Sequence, residues 1–338
     1  MPDFSDDYDI FPKSCDVVLS SRVRLARNHA GLPFPGKMED AGAQESIRRT
    51  TQAMENRPLQ LQRMEELSVL QRQVLVERHL ISADLLRKPD QSAVLLRDDE
   101  AISIMLNEED HLRIQALQKG LALSEAAELA FTEDDILADT IHYAFDNEWG
   151  YLTTCPTNVG TGLRVSAMLH LPALTWSGEM TKVMQAVAKL GLTLRGLYGE
   201  GSEAQGDIYQ ISNQVTLGRT ESELIEAIQA VSGQMVEWER KVRLALHEGD
   251  RVAMEDRLMR GLGVMERARK ITRKEFMQRW SCLRLGACMG MMELNIGMLD
   301  RMLVQAQPAS LQEAVGEILE GEARDERRAT FIRTMLEE

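Results

Sequence analysis

Residues 16–25 repeat with the two-residue period of a half-buried β-strand. One face of this strand carries mainly apolar side chains: Val17, Leu19, Ser21, Val23 and Leu25. The opposite face carries Ser20, Arg22 and Arg24. Both arginines are therefore predicted to point the same way, to the side of a sheet that faces away from the core.

More extended runs and helical patterns follow as far as residue 218. Ala93–Arg97 and residues 101–106 flank an acidic turn and predict a hairpin, with a third strand at 111–115. Other extended runs lie at 151–155, 163–171, 192–198 and 208–216, and helical patterns lie at 40–55, 60–80, 124–145 and 178–190. Hairpin-like strands mixed with helices predict an α+β domain with a large, mainly antiparallel sheet flanked by helices.

Beyond Gly218 the sequence is helical throughout. Thr220 and Glu223 form a capping box that opens a helix running to about His247. Further helices are predicted at 253–270, 272–303, 309–320 and 322–337, with a break at 305–308. The pattern predicts an α+β domain over residues 1–248 and a small all-α domain over residues 249–338.

The bulk composition restricts the class of protein. The net charge of −14 disfavours direct binding to nucleic acid, which needs phosphate-neutralising basic residues. The acidic start is unlike a secretory signal, and no run approaches the ~18 apolar residues of a membrane span. The four cysteines include no Cys-x-x-Cys pair, so a reduced, cytoplasmic protein without a zinc site is expected.

Five arginines lie in short ordered motifs despite the acidic balance of the chain. The motifs are Ser20-Ser21-Arg22-Val23-Arg24, Asn107 to Arg113 (NEEDHLR), Cys155 to Arg164 (CPTNVGTGLR) and Arg195 to Glu200 (RGLYGE). This placement indicates a converging anion site rather than a general basic surface. The acidic residues at 108–110 with His111 would also suit a metal, but consecutive acidic residues at a strand entrance are usually exposed.

The strand at residues 111–115 bears on which of the two glutamates faces the arginines. If its extended conformation runs back to Asn107, Glu109 shares a face with His111 and Arg113, and Glu108 points the opposite way.

In this order, the four motifs resemble those of the phosphagen kinases, the ATP:guanido phosphotransferases that move the γ-phosphoryl of ATP onto a guanidinium group. The resemblance implies that ATP phosphates are bound by Ser20, Arg22, Arg24, Arg113, Arg164 and Arg195. It also implies that Glu109 and Glu200 hold the substrate guanidinium, that one of them is the base, and that Cys155 is the active-site cysteine. Mg²⁺ would be held mainly by phosphate oxygens and water, without a dedicated set of protein ligands.

The chain departs from the family members that act on free creatine or arginine. Those enzymes carry a helical domain before the Ser-x-Arg-Val-Arg motif, which here begins at Ser20, and they often place an adenine-contacting His where this chain has Met168. The resemblance is closer to the bacterial branch that phosphorylates arginine side chains in proteins. Arg324, Asp325, Arg328 and Ala329 are similar to that branch's Arg-Asp-x-x-Arg-Ala motif, which implies an allosteric phosphoarginine site outside the active site.

Two other functions stay open at this stage: a guanidino-metabolite kinase, and a non-catalytic phosphoarginine-binding adaptor. Intact Glu109, Cys155 and Glu200 favour an active enzyme. The resemblance further implies a stress-response role, a heat-shock transcription repressor as a target, a Clp ATPase and protease, and a zinc-binding activator protein. The Met- and Leu-rich C-terminal helices predict a homodimer.

Overall fold

The computed structural model describes residues 12–196 and 204–337. The strands are β1 (Val18–Arg27), β2 (Leu59–Arg63), β3 (Ala93–Arg97), β4 (Ile102–Leu106), β5 (Leu112–Lys119), β6 (Phe145–Asp146), β7 (Gly150–Tyr151), β8 (Leu163–His170), β9 (Leu192–Gly196) and β10 (Ile208–Asn213). Eight of them form one antiparallel sheet in the order β2-β3-β4-β5-β1-β8-β10-β9, and β6 pairs with β7 separately.

The helices are α1 (Asp40–Ala53), α2 (Val69–Glu77), α3 (Leu123–Ala138), α4 (Pro172–Trp176), α5 (Met180–Lys189), α6 (Glu221–Gly249), α7 (Arg251–Arg267), α8 (Arg273–Cys288), α9 (Ile296–Gln305), α10 (Pro308–Val315) and α11 (Gly321–Glu337). This architecture confirms the predicted α+β fold with an all-α C-terminal region. No helix in the described ranges combines the length and apolar character needed to cross a bilayer.

One face of the sheet is the core of the catalytic part of the chain. Helices α3 and α6 pack on this face, and Val23, Leu25, Ile114 and Val165 are fully buried beneath them. Because alternate residues of a strand point to opposite faces, the polar residues between these positions lie on the other side of the sheet. The apolar alternation of β1 is thus what orients its arginines.

The structure differs from the sequence prediction at several element boundaries, and three of the differences affect how the chain packs. Residues 59–63 are strand rather than helix, because the alternating Leu59 and Leu61 follow Pro58 and pair with β3, and the helix starts only at the capping box of Ser68. The register of β1 shifts between Val18 and Ser20, so Leu19 contacts the C-terminal core and not the core under α3.

The third difference is in the C-terminal region, where the predicted helix at 272–303 is two helices. Helix α8 ends at Cys288, Gly290 takes a left-handed φ of 66°, and the side chain of Asn295 caps α9 by accepting from the Met298 N–H.

The C-terminal helices form a second core around Trp280, which is fully buried and donates from its indole to the Leu299 carbonyl at 2.8 Å. Helix α6 ends at Gly249 and α7 begins at Arg251, and the domain division at residue 248 stays a prediction.

Polar contacts fasten this second core to the sheet. Buried Asp16, just before β1, is held within the catalytic part by Arg240 and Arg243 of α6, which donate to its carboxylate at 2.7 Å and 3.3 Å. Its backbone carbonyl accepts from Arg284 of α8 at 2.8 Å. On the other side, the Glu77 carboxylate at the end of α2 accepts from the backbone N–H groups of Ala309 and Ser310 at 2.7–3.0 Å. The catalytic part therefore caps helix α10 of the C-terminal part.

Candidate active site

The strand register places the five predicted phosphate-binding arginines on the same face of the sheet. Directly opposed residues in neighbouring strands share a face. The pairs on this face are Arg24 with Arg164, Arg22 with Ser166, Ala26 with Arg113, Met168 with Gln210, and Gln210 with Arg195. The sheet thus brings together on one surface residues that are up to 173 positions apart in sequence, from Arg22 to Arg195.

The centre of this arginine cluster contains two buried donor atoms. The Nε atoms of Arg24 and Arg164 are buried and have no hydrogen-bond partner within the described part of the chain. Burial lowers the pKa of Arg24 well below its ordinary value, and repulsion from Arg22, Arg113 and Arg164 lowers it further. Buried donors without acceptors, held among like charges, fit a polyanion such as a nucleotide triphosphate, which would supply both oxygens and negative charge.

Arg22 and Arg113 are held in place by neighbouring side chains. Arg22 donates from Nε to Ser166 Oγ at 3.4 Å and from Nη2 to Gln210 Oε1 at 3.0 Å. Arg113 donates from Nη1 to both carboxylate oxygens of Glu108, at 2.6 Å to Oε2. Ser82 Oγ donates to the same carboxylate at 2.5 Å. These contacts orient the two guanidinium groups before any ligand binds.

The Glu108 side chain is almost completely buried, at 1% exposure. That burial alone would raise its pKa, but Arg113 and the Ser82 hydroxyl hold the pKa below 4.5. Glu108 is therefore an anchor for Arg113 and is not available to a substrate.

The turn that precedes β5 separates the roles of two adjacent glutamates. Asn107 has a left-handed φ of 60°, and its N–H donates to the His111 carbonyl at 2.9 Å, so residues 107–111 form a turn. The extended conformation therefore does not run back to Asn107, so the condition for placing Glu109 on the face of His111 and Arg113 is not met, and the turn directs Glu108 to Arg113. Glu109 is exposed at the rim of a cavity of about 320 Å³ that Arg113 and Thr154 also line.

Glu109 is nevertheless a perturbed carboxyl. Partial desolvation raises its pKa above 4.5, and the neighbouring charge of Asp110 raises it further against the opposing effect of Arg113. A carboxylate with a raised pKa beside a cavity is suited to accept a proton from a bound group.

Buried Asp110 ties this turn to the segment that carries Cys155. Its Oδ1 accepts from the Thr154 N–H and from Asn28 Nδ2, both at 2.7 Å. Cys155 is half-buried, and its Sγ lies 3.1 Å from Thr157 Oγ1. Asp110 therefore fixes the position of Cys155 relative to that of Glu109.

Arg164 connects these two residues to the arginine cluster. Burial lowers the pKa of Arg164, as do Arg113 and Arg195, whereas Cys155 and Glu109 both act to raise it. Cys155 and Glu109 are thus close enough to Arg164 to influence its charge. Glu200 and its neighbours at 197–203 lie outside the described residues.

His79 is a cleft residue that sequence reasoning missed. It follows α2 with a left-handed φ of 60°, and its carbonyl accepts from Gln115 Nε2 at 2.9 Å. Burial lowers its pKa to about 4, with a smaller effect from Arg22, so the imidazole is neutral at pH 7. His79, Ser20 and Met168 line a cavity of about 500 Å³ that continues the arginine face. A histidine directly after an amphipathic helix carries no sequence signal that separates it from a surface residue.

The C-terminal candidate residues differ in accessibility. Arg328 is buried and donates to the carbonyls of Ala306 at 2.9 Å and Ile271 at 3.0 Å and to Asp325 at 2.5 Å. Ala329 belongs to the apolar core at 2% exposure. Arg324 is half-buried, and its Nε has no partner among the described residues. Arg328 thus holds helix ends together, while Arg324 is only partly buried.

In the described ranges, the structure contains no cluster of three or more His, Cys, Asp or Glu side chains suited to a metal ion.

Comparison with known families agrees with this geometry. The model of the ATP:guanido phosphotransferase C-terminal catalytic domain matches residues 43–242. The solved structure of a lombricine kinase superposes with a TM-score of 0.61 at 25% identity, covering 70% of this chain and 68% of that one. A taurocyamine kinase from Schistosoma mansoni, solved with bound transition state analog components, has the same fold, with a TM-score of 0.61 at 24% identity over 72% of this chain and 37% of that one. The chain belongs to the ATP:guanido phosphotransferases, and ATP is its nucleotide substrate.

Its place within that family is also defined. The model of the protein-arginine kinase McsB C-terminal domain matches residues 251–338. A protein-arginine kinase of Caldanaerobacter subterraneus is 46% identical over 95% of this chain and 97% of its own length. Another, from Desulforamulus reducens, is 48% identical over 95% of this chain and 92% of its own length. Within the ATP:guanido phosphotransferases, the chain therefore belongs to the protein-arginine kinases.

Proposed function

We propose that this chain transfers the γ-phosphoryl group of ATP to the guanidinium of arginine side chains in proteins. The observation that carries the proposal is the row of arginines on one sheet face, with unpartnered buried donors at its centre and Glu109 at one end. The likeness to protein-arginine kinases along 95% of the chain supports a protein substrate over a small guanidino compound.

The arginine cluster supplies the electrostatic part of the reaction. Phosphoryl transfer depends mostly on positioning and on neutralising charge on the phosphate oxygens. Arg22, Arg24, Arg113, Arg164 and Arg195 would bind these oxygens, with Ser20 beside them. The hydrogen bonds that hold Arg22 and Arg113 before ligand binding reduce the reorganisation needed in the transition state.

The carboxylates would prepare the nucleophile. A guanidinium is a poor nucleophile because it is protonated at neutral pH. In the proposed step one guanidinium nitrogen attacks the γ-phosphorus, the bond from that phosphorus to the β–γ bridging oxygen breaks, and ADP leaves. The guanidinium proton passes to a carboxylate, either Glu109 or Glu200. The raised pKa of Glu109 makes it a competent acceptor.

Cys155 and a divalent cation would complete the site. A thiolate at Cys155 beside the guanidinium would favour the bound, reactive orientation, and we expect Cys155→Ser to slow transfer without unfolding the chain. Mg²⁺ held by the phosphates of ATP would neutralise charge that develops on the leaving ADP.

The substrate class is tested by comparing free arginine with an arginine-containing protein. With Mg²⁺ and ATP, we expect a much larger kcat/KM for the protein, because polypeptide around the target arginine contributes binding energy for positioning. Mass spectrometry at a pH that preserves the P–N bond should locate phosphate on arginine and not on Ser, Thr or Tyr. A preference for the free amino acid would instead support a metabolite kinase.

For the C-terminal domain we propose phosphoarginine binding at Arg324 and Asp325, with Arg328 fixing Asp325 from inside. The partial exposure of the Arg324 side chain and of the Asp325 carboxylate supports this pocket. Asp325→Lys should remove binding of free phosphoarginine, measured by calorimetry, while leaving basal transfer intact. Equal binding by the wild type and the variant would refute the pocket.

The same domain is proposed to form a homodimer through α7. Val252 and Met259 are seven residues apart on this helix, so they share a face, and they are 75% and 49% exposed. Sedimentation at micromolar concentration should show a dimer that a Val252→Glu, Met259→Glu double variant dissociates. A wild-type monomer would contradict the proposal.

The likeness to protein-arginine kinases motivates the remaining cellular proposals. We place the enzyme in the cytoplasm and in the stress response, with a heat-shock transcription repressor as a target. Modified proteins would pass to a Clp ATPase and protease, and a zinc-binding protein would act as activator. Co-purification from heat-stressed cells, followed by phosphoarginine mapping of the captured proteins, tests these partners together.

A further inference from the structure

The nucleotide must lie in the cleft with a defined direction. Glu109 and Cys155 are at the end of the arginine face where Arg113 pairs with Ala26, so the transferred phosphoryl belongs there. Ala26 and Ser20 are six residues apart on β1, which is about 20 Å along a strand. A nucleotide that spans the arginines therefore places its nucleoside at the Ser20 and Met168 end.

At that end the cleft does not stop at the catalytic part of the chain. The 500 Å³ cavity that holds Ser20 and Met168 adjoins a second cavity of about 660 Å³. The two share residues of the catalytic part, among them Leu19, Ser20, His79 and Met168. The far wall of the second cavity consists of residues from α9 and α10 of the C-terminal part.

We propose that α9 and α10 complete the binding site for the adenine and ribose of ATP. The inference rests on the proposed function and assigns to the C-terminal domain a part in nucleotide recognition. The catalytic side of the cavity offers aliphatic surface from Leu19, Val74 and Met168, and the C-terminal side offers Val304 and Ala314. A mostly apolar cavity with a few polar groups is the usual character of a site for a purine-sized ligand.

Polar groups on the C-terminal wall would recognise the base edge. Gln305 and Glu313 line the cavity and provide an amide and a carboxylate. A carboxylate accepts hydrogen bonds from an exocyclic amino group, which adenine has at C6. Guanine also presents donors to a carboxylate, at N1 and at its C2 amino group, so Gln305 and Glu313 would recognise a purine edge rather than adenine alone.

The cavity is held in shape from both sides. Glu77 accepts from the first backbone N–H groups of α10, and Lys119 of β5 lies 3.5 Å from Asp300 of α9. Asp300 also accepts from Arg284 at 2.9 Å. The wall is thus fixed relative to the sheet before a nucleotide binds, which lowers the entropic cost of forming the site.

The test separates the nucleoside from the phosphates. Ala314→Trp fills the cavity from the C-terminal side, and Ala323→Trp makes the same change at an exposed position of α11 outside both cavities. Calorimetry would measure the dissociation constants of ATP and of inorganic tripolyphosphate for both variants. We expect Ala314→Trp to weaken ATP about tenfold or more, with tripolyphosphate within about twofold of wild type, and Ala323→Trp to change neither.

The other possible results of this calorimetric test refute the proposed base site. ATP binding by a folded Ala314→Trp protein at wild-type strength, or equal weakening of ATP and tripolyphosphate, overturns the proposed base site. If Ala314→Trp does not fold, Glu313→Ala, which removes an exposed side chain without adding bulk, should reduce the preference for ATP over inorganic tripolyphosphate. An unchanged preference also overturns the inference. Failure of the wild type to bind ATP would refute the proposed function itself. If the wild type phosphorylates arginine normally and Ala314→Trp binds ATP as tightly as the wild type, only the proposed base site is refuted.

Discussion

Asp110 is the residue whose replacement most directly tests how the candidate site is held together. It is 3% exposed, and one of its carboxylate oxygens accepts from both the Thr154 N–H and Asn28 Nδ2 at 2.7 Å. Asp110→Ala removes the acceptor of both hydrogen bonds, of which the one from Asn28 is buried. A hydrogen bond to a charged group contributes about 1.5–3 kcal/mol, so we expect a loss of about 3 kcal/mol or more in the free energy of unfolding.

Asp110→Ala should also affect catalysis, because it changes the position of Glu109 relative to Cys155. Asp110 is a link between the turn of Glu109 and the loop of Cys155, so its loss should lower kcat for arginine transfer while KM for ATP changes little. Asp110→Asn is the matched control, because an amide oxygen can accept both hydrogen bonds without the charge. It should recover most of the stability and part of kcat.

Urea unfolding and steady-state kinetics measure both effects. An Asp110→Ala protein within about 0.5 kcal/mol of wild-type stability and with wild-type kcat would refute the reasoning. An equally damaged Asp110→Asn variant would show that the charge, and not the hydrogen bonds, carries the effect.

Three other predictions follow from the site and its surroundings. Glu109→Gln should lower kcat by about 10²–10³ and leave calorimetric ATP binding almost unchanged, because Glu109 lies at the end of the arginine face where the guanidinium of the substrate would bind. Weak ATP binding would contradict this role. Arg164→Gln should raise the Tm of the free protein, because it relieves repulsion among buried cations, and it should reduce the increase in Tm that ATP causes. Calorimetric melting with and without ATP measures both effects. A lower Tm of the variant without ATP would refute the repulsion. Burial raises the pKa of Asp207 from 3.8 to about 6. The stability of the wild type relative to Asp207→Asn should therefore be greatest below pH 4 and should fall by about 3 kcal/mol as the pH rises through 6. A stability difference between the two proteins that is constant from pH 4 to 7 would exclude this titration.

The arginine face was predictable because it depends on a short-range pattern. The period of two in β1 oriented Arg22 and Arg24, and similar runs defined the neighbouring strands. The order of the strands is not contained in local periodicity, so the alignment of Arg113 with Ala26 and of Arg195 with Gln210 had to come from the structure.

The sequence could not show which of two similar side chains has a structural role and which is accessible to a ligand. Glu108 and Glu109 are adjacent and chemically identical, and only the left-handed backbone at Asn107 directs Glu108 to Arg113. Likewise Arg324 and Arg328 look equivalent on a helix, yet Arg328 is buried at the ends of other helices. Both distinctions depend on tertiary contacts between segments distant in sequence.

The acidic balance of the chain and its basic cleft are compatible because charge acts locally. At physiological salt an exposed charge is screened over about 8 Å, so the exterior with its net charge of −14 scarcely weakens the field of clustered, partly buried arginines. Inside the cleft the lower dielectric strengthens that field. The desolvation and mutual repulsion that lower the pKa of Arg24 and Arg164 are costs of the free state, and the charge of bound ATP offsets both. The cluster thus stores in the free protein a destabilisation that favours nucleotide binding, while the acidic exterior favours approach of the basic segments in which a target arginine lies.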